Sequence, residues 1–339
     1  MLMTSLTQAQ ANTLPALPEP LADAAVLQTT VRGKTYILSA GGRSAAANNL
    51  TSAHRKSWLL TYGDSSWLPL PDIPSAQGAT GRIAASAVSL DQQFFIFGGS
   101  GQGRNGQPVT LTDSYRLSPI GRMYQKLPDM PVAVYGSVAL TYANRYVFLI
   151  GGNHQGNAVN LVQIFDNFTQ KWSQATPYPM TAVSRHTAVL SNQQLLVCGG
   201  VRQQVNTDGS ISPQEQTDCY LAQLNRQQPS QLQWRRLPDG PGALLDAAAI
   251  NIGSSDKPQA LFVGGHNSLT SQTTNQTGWL FDFSKQSWQQ TALPEARSGS
   301  RYLLSIGNEW YSLAGIDKSG ALMADFSKQQ FSLLPDGAP

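Results

Sequence analysis

YVFLIGG at residues 146–152, followed by KWSQATPYPM at 171–180, decides the fold. The first stretch is an almost continuous apolar run, as a strand buried on both faces requires, and it stops at a glycine pair. The second is a short polar strand led by Trp172, ending at Pro177 and Pro179, which cannot continue a ladder. Moving outward, the same pair of signals recurs. YILSAGG (36–42), FFIFGG (94–99), LLVCGG (195–200), ALFVGG (260–265) and WYSLAG (310–315) repeat the first half. WLPLPDIP from Trp67, YQKLPDMP from Tyr124, WRRLPDGP from Trp234, WQQTALPEA from Trp288 and FSLLPDGAP from Phe331 repeat the second. The glycine pairs fall 48 to 65 residues apart. A period near 50 with one glycine pair and one aromatic per unit is that of a propeller blade, which cannot bury its faces alone.

One unit parses into four strands. SVALTY (137–142) alternates, YVFLI is buried, LVQIFD (161–166) follows, and KWSQA (171–175) is the outer strand. Third strands elsewhere read SWLLTY (57–62), DSYRL (113–117), DCYLAQ (218–223), WLFDF (279–283) and ALMADF (321–326). No stretch keeps a 3.6-residue apolar period. The sequence therefore predicts an all-β chain, a six-bladed β-propeller with four antiparallel strands per blade over residues 14–339. Proline corners stand at both ends, LPALPEP (14–20) and LPDGAP (334–339), so each blade reads as contiguous. The ring then closes by packing blade six on blade one, or residues 4–13 add an outer strand.

Composition narrows the function. With 41% hydrophobic and 13% charged residues the chain is a folded β-rich protein. Net charge is +3, with Lys and Arg scattered singly, which argues against a nucleic-acid partner. No apolar run approaches the ~18 residues of a membrane span. Residues 1–13 read as a disordered tail or a signal-peptide remnant, since Ala9-Gln10-Ala11 fits a signal-peptidase site; the second reading implies a periplasmic or secreted protein. The two cysteines, Cys198 and Cys219, end one strand and open the next. They read either as a disulfide in an oxidising compartment or as two buried thiols.

Functional side chains concentrate at one end of the blades. A meander places the corner before strand one and the loop after the glycine pair at the same end. The corners carry Arg82, Tyr135, Arg185, His186, Asp246, Glu295, Arg297 and Arg301. The post-glycine loops carry Arg43, His54, Arg104, Asn153, His154, Arg202 and His266, so all four histidines share this face. Several arginines around a channel mouth make an anion site, and a carboxylate is its natural small ligand. Each arginine has a second reading, as a strut that holds carbonyls of the neighbouring blade. Arg82, Arg185, His186, Arg202 and Arg297 are the candidate substrate-binding residues; Glu215, Glu295, Asp246 and His186 are the available proton carriers, with Glu215 and Glu295 the catalytic candidates. No HExxH, CxxC, phosphate loop or nucleophile elbow is present, and GSGQGRNG (99–106) opens no helix, so no metal or cofactor is expected.

The repeated glycine pair, outer aromatic and proline corner resemble Kelch repeats, a family that fixes the fold and includes sugar oxidases, interaction modules and mutarotases. Copper-dependent sugar oxidases of this family use a His and Tyr ligand set with a cross-linked Cys–Tyr pair. Here Cys219 and Tyr220 are neighbours that face opposite sides of a strand. Over the first three units, LPALPEPLADAAV, the Arg82 corner before FFIFGGSGQGRNG, and LPDMPVAVYGSVALTYANRYVFLIGG are similar to the exported bacterial N-acetylneuraminate epimerases, which are sialic acid mutarotases. That resemblance implies anomer exchange of a sugar acid outside the inner membrane, with Arg82 and Arg297 matching arginine corners. The glutamate that follows the fourth glycine pair in that family is Val201 here, and the arginine before its Thr-Asp is Gln216, with Arg202 and Glu215 one residue away. The other reading is a non-catalytic propeller that binds a glycan or a protein.

Overall fold

The computed structural model describes residues 14–45, 50–179, 182–238, 240–271, 274–292, 296–298, 303–329 and 332–333. It is a six-bladed β-propeller. Blade one is built from Ala25–Val31, Lys34–Ala40, Ser57–Thr61 and Leu68–Leu70. Blade three is built from Val138–Tyr142, Tyr146–Ile150, Val162–Asp166 and Lys171–Gln174, with Phe148 paired to Leu140 on one side and Ile164 on the other. Blades two, four and five follow the same antiparallel meander. Among the described residues a single 3₁₀ turn, Leu50–Ser52, is the only helical element.

The glycine pair works as the joint between blades. The second residue of each pair donates its N–H to a corner carbonyl of the next blade: Gly42 to Arg82, Gly99 to Val134, Gly152 to Val183, Gly200 to Ala243 and Gly265 to Arg297. Gly315 donates to Leu21 and so closes the ring from blade six to blade one, at 2.8 Å. A side chain cannot fit there. At Gly199 (φ +67°) an added Cβ would lie 2.0 Å from the Ala243 oxygen, and at Gly200 (φ +98°) 2.6 Å from the Ser184 oxygen.

The outer aromatics seal the same joints. Trp67, Trp172 and Trp234 donate their indole N–H to carbonyls of the segment entering their own blade, Pro15, Pro128 and Thr176. Trp172 packs on Phe97 of blade two, and Trp67 on Phe326 of blade six. The blade-one and blade-six seam is a continuous apolar layer that includes Leu21, Ile37, Trp58, Leu313 and Phe326. Ring closure by packing is thus what the described residues carry out; residues 4–13 lie outside them.

Blade six differs from its sequence reading in one strand. ALMADF was expected as the third strand, but that strand runs Phe326–Gln329. The backbone of residues 321–325 is engaged elsewhere. Met323 donates to Gly315, and the carbonyls of Met323 and Ala324 accept from Leu21 and Leu17 of the entering chain. The short strand Ser332–Leu333 pairs with the outer strand of blade five, opposite Ala292 and Thr291. The post-glycine loops of blades two, three and four are also more regular than expected. They fold into two-stranded ribbons, Ser100–Gln102 with Pro108–Thr110, Asn153–His154 with Asn157–Ala158, and Val201–Val205 with Ile211–Glu215. Cys198 and Cys219 form a disulfide directly across the ladder at the base of the last ribbon, with Cα atoms 4.2 Å apart. The buried-thiol reading is therefore excluded.

Candidate functional site

At each corner one residue pairs with the residue after the glycine pair. Ala22 pairs with Arg43, Ile83 with Ser100, Tyr135 with Asn153, Ser184 with Val201, Leu245 with His266 and Ser298 with Ile316. The next corner residue then turns inward with positive φ: Asp23 (56°), Ala84 (48°), Gly136 (65°), Arg185 (56°) and Asp246 (56°). These residues are linked around the axis, because Ala84 donates to the Asp23 carbonyl, Gly136 to Ala84 and Asp246 to Arg185. A left-handed backbone is unfavourable for Arg and Ala, of order 1 kcal/mol or more, and persists only where surrounding contacts impose it.

These corners and the post-glycine side chains enclose an axial cavity of about 600 Å³. That lies within the ~300–1,000 Å³ of small-molecule sites. Its chemistry comes from two arginine–carboxylate pairs on opposite sides. Arg43 Nε donates to Asp23 Oδ2 at 2.6 Å, and Arg43 Nη1 to the Ala45 carbonyl. Arg185 Nε donates to Asp246 Oδ2 at 2.8 Å, with Nη2 at 2.6 Å. Tyr135, His186 and His266 also line the chamber. Burial raises the Asp23 carboxyl above the ordinary aspartate value. Arg43 opposes that rise, the negative charge of Asp246 adds to it, and Arg185 opposes it across the cavity.

The expected residues divide sharply. Arg185 and His186 line the cavity. Arg82 and Arg297 do not. Arg82 is fully buried and donates to the carbonyls of Gly98 and Pro74 and to Asp113 Oδ1 at 2.7 Å. Arg297 repeats that arrangement in blade six, on the Ala314 carbonyl, Asp325 Oδ2 at 2.5 Å and Ser327. Both point away from the axis for the same reason: they precede the paired corner residue, whereas Arg185 follows it. Burial would raise the Asp113 carboxyl, but the Arg82 charge, the Ala76 N–H and the Tyr115 hydroxyl outweigh it and hold the group below the usual carboxylate range. The Tyr115 hydroxyl is in turn pushed up to about 12, by burial and by Asp113.

Arg202 and Glu215 sit on the blade-four ribbon, outside the cavity lining. Arg202 Nε donates to Gln214 Oε1 at 2.7 Å, and Glu215 Oε1 accepts from the Leu269 N–H at 2.7 Å. Glu295 and Arg301 lie outside the described residues. Of the histidines, His54 packs its ring edge against Trp58, and His154 Nδ1 hydrogen-bonds the Ala133 carbonyl. Asp23 was missed by the sequence reading. Its signal was its place in the corner, which is the place of Arg185 and Asp246 in their blades. Among the described residues no group of three or more His, Cys, Asp or Glu could hold a metal ion, and no helix is long and apolar enough to cross a membrane.

No family model matches the chain. Kelch domain-containing protein 3 of Rattus norvegicus is 25% identical over 173 residues, 47% of this chain and 42% of that protein. An F-box/kelch-repeat protein of Arabidopsis thaliana is 30% identical over 91 residues, 27% of this chain and 20% of that protein. The chain thus spans less than half the length of the curated relatives it matches. In solved structures, the structure of YjhT superposes with a TM-score of 0.71 and 16% identity, covering 95% of this chain and 99% of that one. These similarities support a Kelch-type β-propeller.

Proposed function

We propose that the protein is an exported mutarotase that interconverts the anomers of N-acetylneuraminate or a related sugar acid in the axial cavity. The observation that carries the reading is the cavity itself, where two arginines and two carboxyls face one chamber of ligand size. Anomer exchange needs little more. One group removes the proton of the anomeric hydroxyl, another protonates the ring oxygen, and a cation fixes the substrate carboxylate. Arg185 is the clamp. Its Nε and Nη2 hold Asp246, while Nη1 has no hydrogen-bond partner among the described residues. The mutarotase resemblance of the first three blades supports the substrate class, and the Cys198–Cys219 disulfide supports an oxidising compartment.

Exchange spectroscopy tests this. Catalytic amounts of protein should raise the rate of exchange between the two anomers of N-acetylneuraminate well above the spontaneous rate, and an unchanged rate at substantial protein concentration rejects the enzyme. A non-catalytic binding propeller is the second reading. The feature that favours it is the tip of the blade-four ribbon, where the directly paired Val205 and Ile211 are 70% and 60% exposed. Apolar side chains so placed suit a protein or glycan surface.

A further inference from the structure

We infer that Asp23 is the catalytic acid of the axial cavity, delivering a proton to the ring oxygen of the bound sugar acid, with Asp246 taking the proton of the anomeric hydroxyl. The assignment rests on the mutarotase reading. It replaces Glu215, which is committed to the Leu269 N–H on the ribbon.

The geometry holds Asp23 in place from several directions. Its neighbour Ala22 is locked to Arg43 by two backbone hydrogen bonds, and its own carbonyl accepts from Ala84 of blade two. Its φ of +56° turns the side chain onto the cavity wall. Only one carboxyl oxygen is used. Oδ2 is held by Arg43, itself 4% exposed, while Oδ1 has no hydrogen-bond partner among the described residues. The Asp23 side chain is 24% exposed, enough to be met by a ligand. Asp246 is built the same way on the other side, with Oδ2 on Arg185 and Oδ1 without a partner among the described residues. Arg43, Arg185, Asp246, His186, His266 and Tyr135 are the charged or titratable groups that share the cavity with Asp23. Burial and the Asp246 charge favour its protonated form, whereas Arg43 and Arg185 favour the carboxylate. Burial outweighs the two arginines and raises the carboxyl from its ordinary value, the direction a general acid needs.

The step closes without a co-reactant. Protonated Asp23 gives its proton from Oδ1 to the ring oxygen as the bond from the anomeric carbon to that oxygen breaks, its electron pair staying on oxygen. The anomeric O–H proton passes to Asp246, and that O–H pair becomes the second bond of the carbonyl. Rotation presents the other face, and closure returns both protons. Nothing is oxidised or reduced.

Asp23→Asn and Asp23→Gly provide the test, since both residues accept positive φ. Exchange rates and N-acetylneuraminate affinity are measured for each variant and the parent between pH 4 and 9. Both variants should bind the sugar acid within a few-fold of the parent and lose about 100- to 10,000-fold in exchange rate. The limb of the parent pH profile that reports an acid above the aspartate range should vanish, and added formate should restore part of the rate to Asp23→Gly. A variant that keeps a tenth or more of the parent rate overturns the assignment, as does a loss confined to KM. A parent that does not accelerate exchange rejects the mutarotase reading itself, and the assignment falls with it.

Discussion

Two pairs of arginines share one end of this propeller and do opposite things. Arg82 and Arg297 are turned into the seams of blades two and six, where each spans a carbonyl at a glycine joint and an aspartate before strand three. Arg43 and Arg185 are turned to the axis, where each holds one oxygen of a carboxylate and faces a chamber of about 600 Å³. The residue type is the same and the place differs: Arg82 and Arg297 precede the paired corner residue, Arg185 follows it, and Arg43 stands opposite the corner, directly after the glycine pair. A propeller corner thus has one place that stabilises the joint and another that meets a ligand.

The largest expected effect breaks the first pair. Arg82→Ala strands Asp113, a carboxylate without exposed side-chain area, and removing one partner of such a pair costs about 3–5 kcal/mol. Urea unfolding should show this loss, while sugar-acid affinity in the folded fraction stays unchanged. The pH dependence has a definite sign. The folded-state pKa of Asp113 is depressed, so the stabilisation is present above the unfolded aspartate pKa and is lost as pH falls through the lower, folded value. Parent and variant stabilities should therefore converge in acid. Arg297→Ala should cost less, about 1.5–3 kcal/mol, because Asp325 is 40% exposed and keeps water as a partner.

Arg185→Ala sharpens the second pair. A lost charge-assisted hydrogen bond to the substrate carboxylate costs about 1.5–3 kcal/mol, tenfold or more in affinity. Calorimetry with N-acetylneuraminate should show that drop. The melting temperature should move little, since the Arg185–Asp246 pair is about one-third exposed. Glu215→Gln is the smallest. Its carboxylate sits outside the cavity, and a surface change of this kind stays within about 0.5 kcal/mol, so exchange rates should remain within about twofold of the parent.

The fold was legible because each joint demands a residue type. A glycine is required where one blade meets the next corner, and a large outer aromatic, Trp172 in blade three, covers that seam. The third strand of blade six was not legible. Met323 bonds Gly315 within its own blade, and the carbonyls of Met323 and Ala324 accept from Leu21 and Leu17, contacts that exist only once the ring closes. The site was legible in part. Arg185 and His186 were found from their place at a corner, yet Arg82 looked equivalent. The distinction is whether the arginine precedes or follows the paired corner residue, and corners of unequal length hide that in the chain. Asp113 and Asp325 stand before strand three in the blades of Arg82 and Arg297, but Asp218 holds that place in blade four and pairs with Arg236, so the aspartate does not separate the two kinds of arginine. Asp23 was hidden because a proline-rich entry segment reads as surface until its backbone is seen to turn inward.

The most direct test is a structure of the protein with N-acetylneuraminate bound. The sugar is expected in the axial cavity, with its carboxylate within hydrogen-bond distance of Arg185 Nη1 and its ring oxygen facing Asp23 Oδ1. A sugar bound instead along the blade-four ribbon beside Arg202 and Glu215, with the cavity empty, would contradict this.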